Sequence, residues 1–212
     1  MKAAWVTFEG IGGSGKSTVV NEVYDYFEKK LKKKVIVTRE PGGTLAGAEL
    51  REVVLKSRND KLLPLTELLL FVADRHETYK KIVEPNIKQG VLVLSDRGLD
   101  GSLAYQGFGR GLDMKLIETL NNFSTNKTKP NLTILLDIEP NLSIKRMNQR
   151  KEIEQDQFDT ERLEFQIKVR EGFLYLAKQN PERIVVVDAS RAPEEVKKKV
   201  IEIITEKLLH EQ

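Results

Sequence analysis

The feature that most constrains this chain is a glycine-rich stretch at residues 10–17, which directly follows an apolar run at 3–8. Its spacing, one glycine, then four free positions and Gly-Lys-Ser, is the phosphate-loop pattern. Glycines let the backbone curl so that successive N–H groups point inward, and the helix that follows adds its positive end. The pattern predicts a strand, a phosphate-binding loop and a helix, and it predicts binding of a nucleoside triphosphate.

The residues of this loop have separate predicted roles. Lys16 is expected to reach the β- and γ-phosphates, and the Ser17 hydroxyl is expected to bind Mg²⁺. The other predicted nucleotide-binding residues line the loop or begin the helix: Gly10, Ile11, Gly12, Gly13, Ser14, Gly15 and Thr18. The alternative is a flexible Gly/Ser turn, but the complete match in a strand–loop–helix context favours the phosphate loop.

Strands and helices alternate along the rest of the chain. Apolar runs predict further strands at 35–38, 91–94, 132–136 and 184–187. Apolar residues at helical spacing predict helices at 16–31, 45–56, 65–83, 113–123, 161–178 and 194–209. This alternation indicates an α/β fold in which helices cover both faces of a five-stranded parallel sheet.

Two segments receive no regular structure in this prediction. The glycine-punctuated segment 98–111 follows the third strand, and a charged segment of low apolar content at about 145–160 is expected to form a small lid. Because no repeat or low-complexity linker divides the chain, we predict a single domain over 1–212.

Composition excludes several classes of protein. The chain has no cysteine, which excludes disulfides, thiolate chemistry and cysteine-ligated metals. Its apolar runs are too short to cross a membrane, and it begins without a signal-peptide pattern, so we expect a cytoplasmic protein. The net charge is +3, and the basic run at 29–34 falls at a helix end, where cations complement the helix dipole. A nucleic-acid partner is not expected, because a basic stripe and aromatic platforms are missing.

Three arginines, Arg39, Arg75 and Arg97, are predicted at ends of elements. Guanidinium groups hold phosphate oxygens in a bidentate fork, so these residues suit a second, phosphorylated substrate. In an open parallel sheet, ligands bind at the carboxyl ends of the strands, where Arg39 and Arg97 are expected. The guanine-reading motif Asn-Lys-x-Asp is missing, which argues against a GTPase.

Several motifs in combination resemble the bacterial thymidylate kinase family. They are Phe-Glu-Gly at 8–10, Arg-Glu-Pro-Gly-Gly-Thr at 39–44, Leu-Phe-Val-Ala-Asp-Arg at 70–75, Asp-Arg at 96–97, Ala-Tyr-Gln-Gly at 104–107 and Arg-Glu-Gly-Phe at 170–173. The similarity covers nearly the whole chain. It implies the P-loop kinase fold, Mg²⁺ as cofactor, a homodimer formed through packed helices, and transfer of the γ-phosphoryl group of ATP to dTMP.

The resemblance also implies which residues bind the acceptor nucleotide. Phe71 would stack on the thymine, and Arg75 would donate a hydrogen bond to its exocyclic oxygen. Arg39 and Arg97 would orient the dTMP phosphate, with Arg51 nearby.

Five more residues complete the site that the resemblance implies. Tyr105 would lie against the deoxyribose and disfavour a 2′-hydroxyl, and Gln106 would support the acceptor site. Glu9 and Ser102 belong to the same group of substrate-binding residues. Asp96 would order the Mg²⁺ shell or its water.

Catalysis on this interpretation requires positioning and charge neutralisation, because the attacking oxygen is an anionic phosphate that needs no strong base. Neither His76 nor His210 is therefore a catalytic candidate. In the family an arginine comes from the phosphate loop or from the lid; the loop position here is Gly13, so Arg146, Arg150 or Lys151 should supply the cation. We favour Arg150, which joins the other predicted catalytic residues: Lys16, Asp96 and Arg97.

Four positions depart from the family pattern. Gly12 replaces an acidic residue, Gly98 an aromatic residue or histidine, and Gly101 a serine; in the lid, Gln157 begins Gln-Phe-Asp where Arg-aromatic/aliphatic-Glu is usual. These losses suggest a dTMP kinase with lower selectivity at the sugar 3′ position. Two alternatives stay open: a nucleoside-monophosphate kinase with a shifted acceptor, and an ATP-binding protein that no longer transfers phosphate.

Overall fold

The computed structural model describes residues 3–56, 60–148, 158, 161 and 163–209. Its strands are β1 (Ala4–Glu9), β2 (Val35–Arg39), β3 (Leu92–Asp96), β4 (Leu132–Asp137) and β5 (Ile184–Asp188). They form one sheet in the order β2-β3-β1-β4-β5, and every pair of neighbours is parallel. The predicted fold class is confirmed, and the predicted strand ends differ from the observed ones by one or two residues.

Burial along the strands follows their place in the sheet. Every residue of β1 is buried, and β3 and β4 are buried except at their last residue. The edge strands β2 and β5 are buried only in part, with Val37 and Val186 exposed. Continuous apolar strands in the centre and mixed strands at the edges are typical of a parallel sheet that helices cover on both faces.

Nine α-helices surround the sheet in the described part of the chain. They are α1 (Lys16–Asp25), α2 (Leu45–Leu55), α3 (Pro64–Thr78), α4 (Glu84–Lys88), α5 (Leu99–Ser102), α6 (Met114–Ser124), α7 (Pro140–Asn148), α8 (Leu163–Gln179) and α9 (Pro193–Leu209). A π-helical turn over Tyr26–Lys30 extends α1, and another over Tyr79–Val83 joins α3 to α4.

Two expectations need correction. The segment after β3 is helical, because α5 continues as a π-helical stretch over Leu103–Gly109. Arg75 lies in the interior of a long helix, since the turn Tyr79–Val83 continues α3 beyond it.

The predicted lid at about 145–160 lies mostly outside the described residues; the described residues 145–148 form the end of α7.

The parallel arrangement brings the candidate site residues to one edge of the sheet. Phe8 of β1 pairs with Asp96 of β3, and Asp96 pairs in turn with Arg39 of β2. The phosphate loop therefore begins beside the segments that follow β2 and β3. Of the helices that the structure describes, none has the length and apolar character needed to cross a bilayer.

Candidate active site

The phosphate loop joins β1 to α1 in a tightly curled path. Gly10 and Gly13 have positive φ angles of 140° and 66°. A Cβ at Gly10 would lie 2.5 Å from the Leu136 carbonyl oxygen, and one at Gly13 would lie 2.7 Å from that of Ser143. Both positions therefore require glycine for conformation and for space. The Ser143 hydroxyl also donates to the Gly12 carbonyl at 2.7 Å, which ties the loop to α7.

Lys16 crosses the inside of this loop. Its Nζ donates to the carbonyl oxygens of Gly10 and Ile11, each at 2.9 Å, and to Ser14 Oγ at 3.3 Å. The ammonium group is thus held against the loop, where a bound triphosphate would lie. Thr18 follows in the first turn of α1 and is exposed.

Ser17 and Asp96 meet at the carboxyl end of β3. The Ser17 hydroxyl donates to Asp96 Oδ2 at 2.6 Å. A hydroxyl and a carboxylate are hard oxygen donors of the kind that Mg²⁺ prefers, so this donor set fits the predicted cation. Ser17 and Asp96 line a surface groove, which we call the phosphate-loop groove. Arg39, which is exposed, and Gly42 and Gly43 also line this groove.

A second cavity lies beside this groove. The predicted residues on its wall are Arg51, Phe71, Arg75, Arg97, Ser102, Tyr105 and Gln106. We refer to it as the acceptor pocket. In the sequence these residues are spread over α2, α3 and the segment after β3, and the fold brings all of them together.

Arg75 is the most tightly held side chain of the acceptor pocket. It is 2% exposed, and its Nε donates to Glu40 Oε2 at 2.8 Å. Nη1 donates to Ser102 Oγ and Asn121 Oδ1 at 3.1 and 2.6 Å, and Nη2 donates to the Gly98 carbonyl at 3.0 Å. Within the described part of the chain these contacts use four of the five N–H donors of a guanidinium, which leaves one at Nη2 for a ligand.

Arg97 and Arg51 place two further guanidinium groups on the pocket wall. Arg97 has a left-handed backbone, with φ of 74°, and its guanidinium carbon lies 5.4 Å from the centre of the Tyr105 ring. Arg51 Nη1 donates to the Pro41 carbonyl at 2.9 Å and so braces the loop after β2. Both residues line the acceptor pocket.

Aromatic rings form the apolar side of the acceptor pocket. The Phe158 ring centre lies 5.9 Å from that of Phe71 and 5.5 Å from that of Tyr105. Phe158 is 6% exposed, and its carbonyl accepts a hydrogen bond from Gln166 Nε2 at 2.7 Å. A residue of the predicted lid segment therefore lines the same pocket as Arg75.

The side chain of Gln106 is hydrogen-bonded to a buried carboxyl group, that of Glu67. Its Nε2 donates to Glu67 Oε1 at 2.8 Å, and Arg110 donates to both oxygens of Glu67 at 3.3 and 3.2 Å. Arg110 also donates to Glu161 at 2.7 Å. This chain of contacts connects α3 and the π-helical stretch to the residues just before α8.

Glu9 does not line the acceptor pocket, although it was predicted to bind substrate. It is fully buried, and its Oε1 accepts hydrogen bonds from the backbone N–H groups of Gly98 and Gly101 at 2.9 and 3.0 Å. Those two glycines line the pocket. Burial, together with the negative charge of Asp100, raises the pKa of Glu9 to about 8.

Of the three candidate cations in the predicted lid, the structure describes one. Arg150, Lys151 and Gln157 lie outside the described residues. Arg146 is described, and it donates to the carbonyl oxygens of Ala189 and Ser190 at 2.9 and 3.3 Å. Arg146 therefore joins α7 to the segment after β5, and Arg150 and Lys151 both stay predictions.

Sequence reasoning missed several residues that hold the site together. They are Glu40, Glu67, Asp74, Asp100, Arg110 and Asn121. Glu40 and Asp74 fall inside recognised motifs, and an acidic side chain next to an apolar run was a usable signal. Asn121 and Arg110 carry no local signal, because their partners are distant in the sequence.

Comparisons with known proteins agree on one family. The family model described as thymidylate kinase matches residues 8–200. A thymidylate kinase of Kosmotoga olearia is 44% identical over 197 residues, 93% of each chain, and that of Lactobacillus acidophilus is 40% identical over 208 residues, 98% of this chain and 96% of the relative. The crystal structure of thymidylate kinase from Ehrlichia chaffeensis superimposes with a TM-score of 0.79 at 32% identity, covering 97% of this chain and all of that one. The chain belongs to the thymidylate kinase family.

Proposed function

We propose that this protein transfers the γ-phosphoryl group of ATP to dTMP and so makes ADP and dTDP. One observation carries the proposal: Asp96 and Arg97 are consecutive, yet they serve two sites. Asp96 accepts a hydrogen bond from Ser17 in the phosphate-loop groove, whereas Arg97 lines the acceptor pocket. Arg97 has a left-handed backbone, with φ of 74°. Donor and acceptor would therefore meet at the end of β3.

The proposed chemistry needs charge neutralisation more than acid–base catalysis. Lys16 lies where it would contact the β- and γ-phosphates, and Arg39 and Arg97 would hold the acceptor phosphate from the other side. Mg²⁺ held by Ser17 and Asp96 would neutralise negative charge on the triphosphate. These groups would align an anionic phosphate oxygen with the γ-phosphorus, and alignment supplies most of the rate in such transfers.

Arg75 supports a pyrimidine base with a carbonyl group at its far edge. A guanidinium can only donate hydrogen bonds, and the remaining Nη2 donor would pair with a carbonyl oxygen. An amino group, as in cytosine, would face this donor with another donor. Phe71, Tyr105 and Phe158 would contact the faces of the base and the sugar.

We propose that the protein acts as a homodimer. Helices α2, α3 and α6 pack side by side and expose large apolar side chains. These are Leu45 and Val53 on α2, Leu65 and Leu69 on α3 with Leu63 just before it, and Leu116 and Phe123 on α6. We call this set the apolar helix face. Large apolar side chains exposed on neighbouring helices favour association with a second copy.

The expected location is the cytoplasm, and no nucleic-acid partner is proposed. The location is proposed because the proposed substrates are free nucleotides. A nucleic-acid partner is not proposed because of how the basic residues are distributed. The main basic run, at 29–34, begins in the last two residues of the π-helical turn that extends α1 and continues towards β2. Cations at a helix end complement the helix dipole and do not by themselves form a nucleic-acid surface.

A second candidate function is a kinase with a shifted or broader acceptor range. The absence of side chains at Gly98 and Gly101 on the pocket wall favours it. A non-catalytic ATP-binding protein would tolerate the same substitutions, but the paired Ser17 and Asp96 support catalysis.

The test is an ADP-release assay with ATP and Mg²⁺ over a panel of acceptors: dTMP, dUMP, UMP, dCMP and dGMP, with a reaction lacking acceptor. We expect turnover with dTMP to exceed that with every other acceptor. Lys16→Ala supplies the background, and the exposed Lys30→Ala is its matched control. Higher turnover with another acceptor would support the second candidate, and no turnover above the Lys16→Ala background would contradict both.

A further inference from the structure

Glu9 connects the two halves of the site. It is the last residue of β1, so its backbone continues directly into the phosphate loop at Gly10. Its side chain turns to the other half, where Oε1 accepts the N–H groups of Gly98 and Gly101 at 2.9 and 3.0 Å. Arg97 precedes this pair and Ser102 follows it. A single carboxyl group thus fixes residues 97–102, which we call the acceptor loop, relative to the phosphate loop.

The two glycines make this contact possible. A Cβ at Gly98 would lie 2.7 Å from Thr7 Cγ2, and Thr7 is fully buried in β1. A Cβ at Gly101 would lie 3.2 Å from Glu9 Oε2. The acceptor loop therefore approaches β1 more closely than larger residues would allow. The need for this close approach to Glu9 and Thr7 explains why residues 98 and 101 are glycines.

The surroundings of Glu9 disfavour its charged form. Both N–H donors bind Oε1, and Oε2 is buried with no hydrogen-bond partner among the described residues. An ionised carboxylate with one buried, unpaired oxygen is costly, whereas a carboxylic acid leaves only a neutral hydroxyl unpaired.

Charged groups face Glu9 from four elements. Asp100 approaches from α5, Arg97 from the end of β3, Lys16 from α1, and Arg183 from the residue before β5. Arg183 forms a bidentate pair with Asp100 at 2.6 and 2.8 Å, and Thr133 Oγ1 also donates to Asp100 at 2.9 Å. These contacts hold the Asp100 carboxyl group in place beside Glu9.

We propose that Glu9 is a positioning residue that works as an uncharged carboxylic acid, and that ionisation of Glu9 weakens acceptor binding. The neutral acid keeps Oε1 as acceptor for Gly98 and Gly101. An ionised Glu9 would add negative charge beside Asp100 and between two anionic substrates. Burial raises the pKa of Glu9 to about 8, which sets where this loss begins. The activity part of this proposal rests on the proposed dTMP kinase function.

Glu9→Gln tests the proposal because glutamine keeps the Oε1 acceptor and cannot ionise. At pH 7 we expect kcat/KM for dTMP to stay within about threefold of wild type, which corresponds to less than 1 kcal/mol. Above pH 8 the wild-type value should fall relative to the variant, by roughly tenfold at pH 9. Glu9→Ala should raise KM for dTMP at all pH values. The exposed Glu49→Gln is the matched control and should follow wild type throughout.

Infrared difference spectroscopy of wild type against Glu9→Gln provides a readout that does not depend on activity. We expect a protonated-carboxyl C=O band at pH 7 that disappears above pH 8. If no such band exists at pH 7, or if the pH profiles of the two enzymes run parallel, the proposal is wrong. A band without dTMP phosphorylation would instead show that the proposed function is wrong.

Gly101→Ala is a second variant in case Glu9→Gln does not fold. Its new Cβ crowds Oε2 at 3.2 Å, so the Glu9 carboxyl and the acceptor loop must separate by a few tenths of an ångström. We expect KM for dTMP to rise severalfold with KM for ATP unchanged. Unchanged KM values for both substrates would contradict the link between Glu9 and the acceptor loop.

Discussion

Asp74 is a buried carboxyl group on α3, directly beneath the loop that follows β2. Its Oδ1 accepts a hydrogen bond from the Gly42 N–H at 2.8 Å, while Oδ2 has no partner among the described residues. Burial, with a smaller effect from the negative charge of Glu40, raises the pKa of Asp74 to about 7. The folded protein therefore holds a proton on Asp74 that the unfolded chain releases at a lower pH.

This proton makes a testable contribution to stability. It stabilises the folded state fully below pH 4, and the contribution is lost as pH rises towards 7. Asp74→Asn keeps the acceptor for Gly42 and cannot ionise. The free energy of unfolding of the variant minus that of wild type should therefore rise from pH 4 to 7, by up to about 1.4 kcal/mol per pH unit.

Urea denaturation at several pH values measures this difference. The exposed Asp60→Asn is the control and should show no trend of this kind. A difference for Asp74→Asn that stays flat from pH 4 to 7 would mean that Asp74 is ionised throughout.

Individual binding residues were predictable where a motif carried them. Phe71 and Arg75 are one helical turn apart, and both line the acceptor pocket as expected. The partners that orient Arg75 were not predictable, because Glu40 and Asn121 lie 35 and 46 residues away from it. Such contacts depend on tertiary packing, and no local spacing encodes them.

At the scale of elements, the helix after β3 was hidden by its glycines. Gly107 lies in the π-helical stretch, and a Cβ there would lie 2.4 Å from Met114 Sδ. On the facing helix α8, a Cβ at Gly172 would lie 2.7 Å from Phe108 Cγ. These glycines allow close packing between helices. In a single sequence they cannot be told from turn glycines, which is why the segment 98–111 received no helix.

The phosphate loop gives a prediction at this scale. Gly13 has φ of 66°, and a Cβ would lie 2.7 Å from the Ser143 carbonyl oxygen of α7. Gly13→Ala should therefore destabilise the fold by more than the roughly 1–2 kcal/mol of left-handed strain. It should also weaken ATP binding at least tenfold, about 1.4 kcal/mol, since the loop must shift away from α7.

Gly90→Ala is the matched control, because Gly90 has φ of 79° and open space around it. Gly90→Ala should lower the free energy of unfolding through left-handed backbone strain alone and leave ATP affinity unchanged. Calorimetric titration with ATP, together with denaturation curves, compares the two variants. Equal effects of both substitutions on ATP binding would contradict the steric argument.

For the whole molecule, the alternation of strands and helices was enough to predict the sheet. The central strands are apolar throughout because helices cover both of their faces, and this pattern is visible in the sequence. The position of the candidate site followed from the same topology. The order of strands and the residues that close the acceptor pocket depend on how distant segments pack, and the sequence does not encode them locally.

The apolar helix face yields the prediction for the assembly. Phe123 is 79% exposed and Leu63 is 73% exposed. The double variant Leu63→Ser, Phe123→Ser should shift the molecular mass in light scattering from that of a dimer towards that of a monomer. Val186→Ser, at the exposed edge strand β5, is the control and should stay dimeric. A wild-type protein that is monomeric at high micromolar concentration would contradict the homodimer.

The destination of the γ-phosphoryl group is the most direct test of the proposed transfer from ATP to dTMP. The protein is incubated with ATP labelled in the γ-phosphate, Mg²⁺ and dTMP, and the nucleotides are separated by chromatography. We predict that the label moves into dTDP, that free phosphate does not accumulate, and that Lys16→Ala abolishes the transfer. Label that appears as free phosphate, or that stays in ATP while dTMP is present, would contradict the assignment of a donor site and an acceptor site that meet at Asp96 and Arg97.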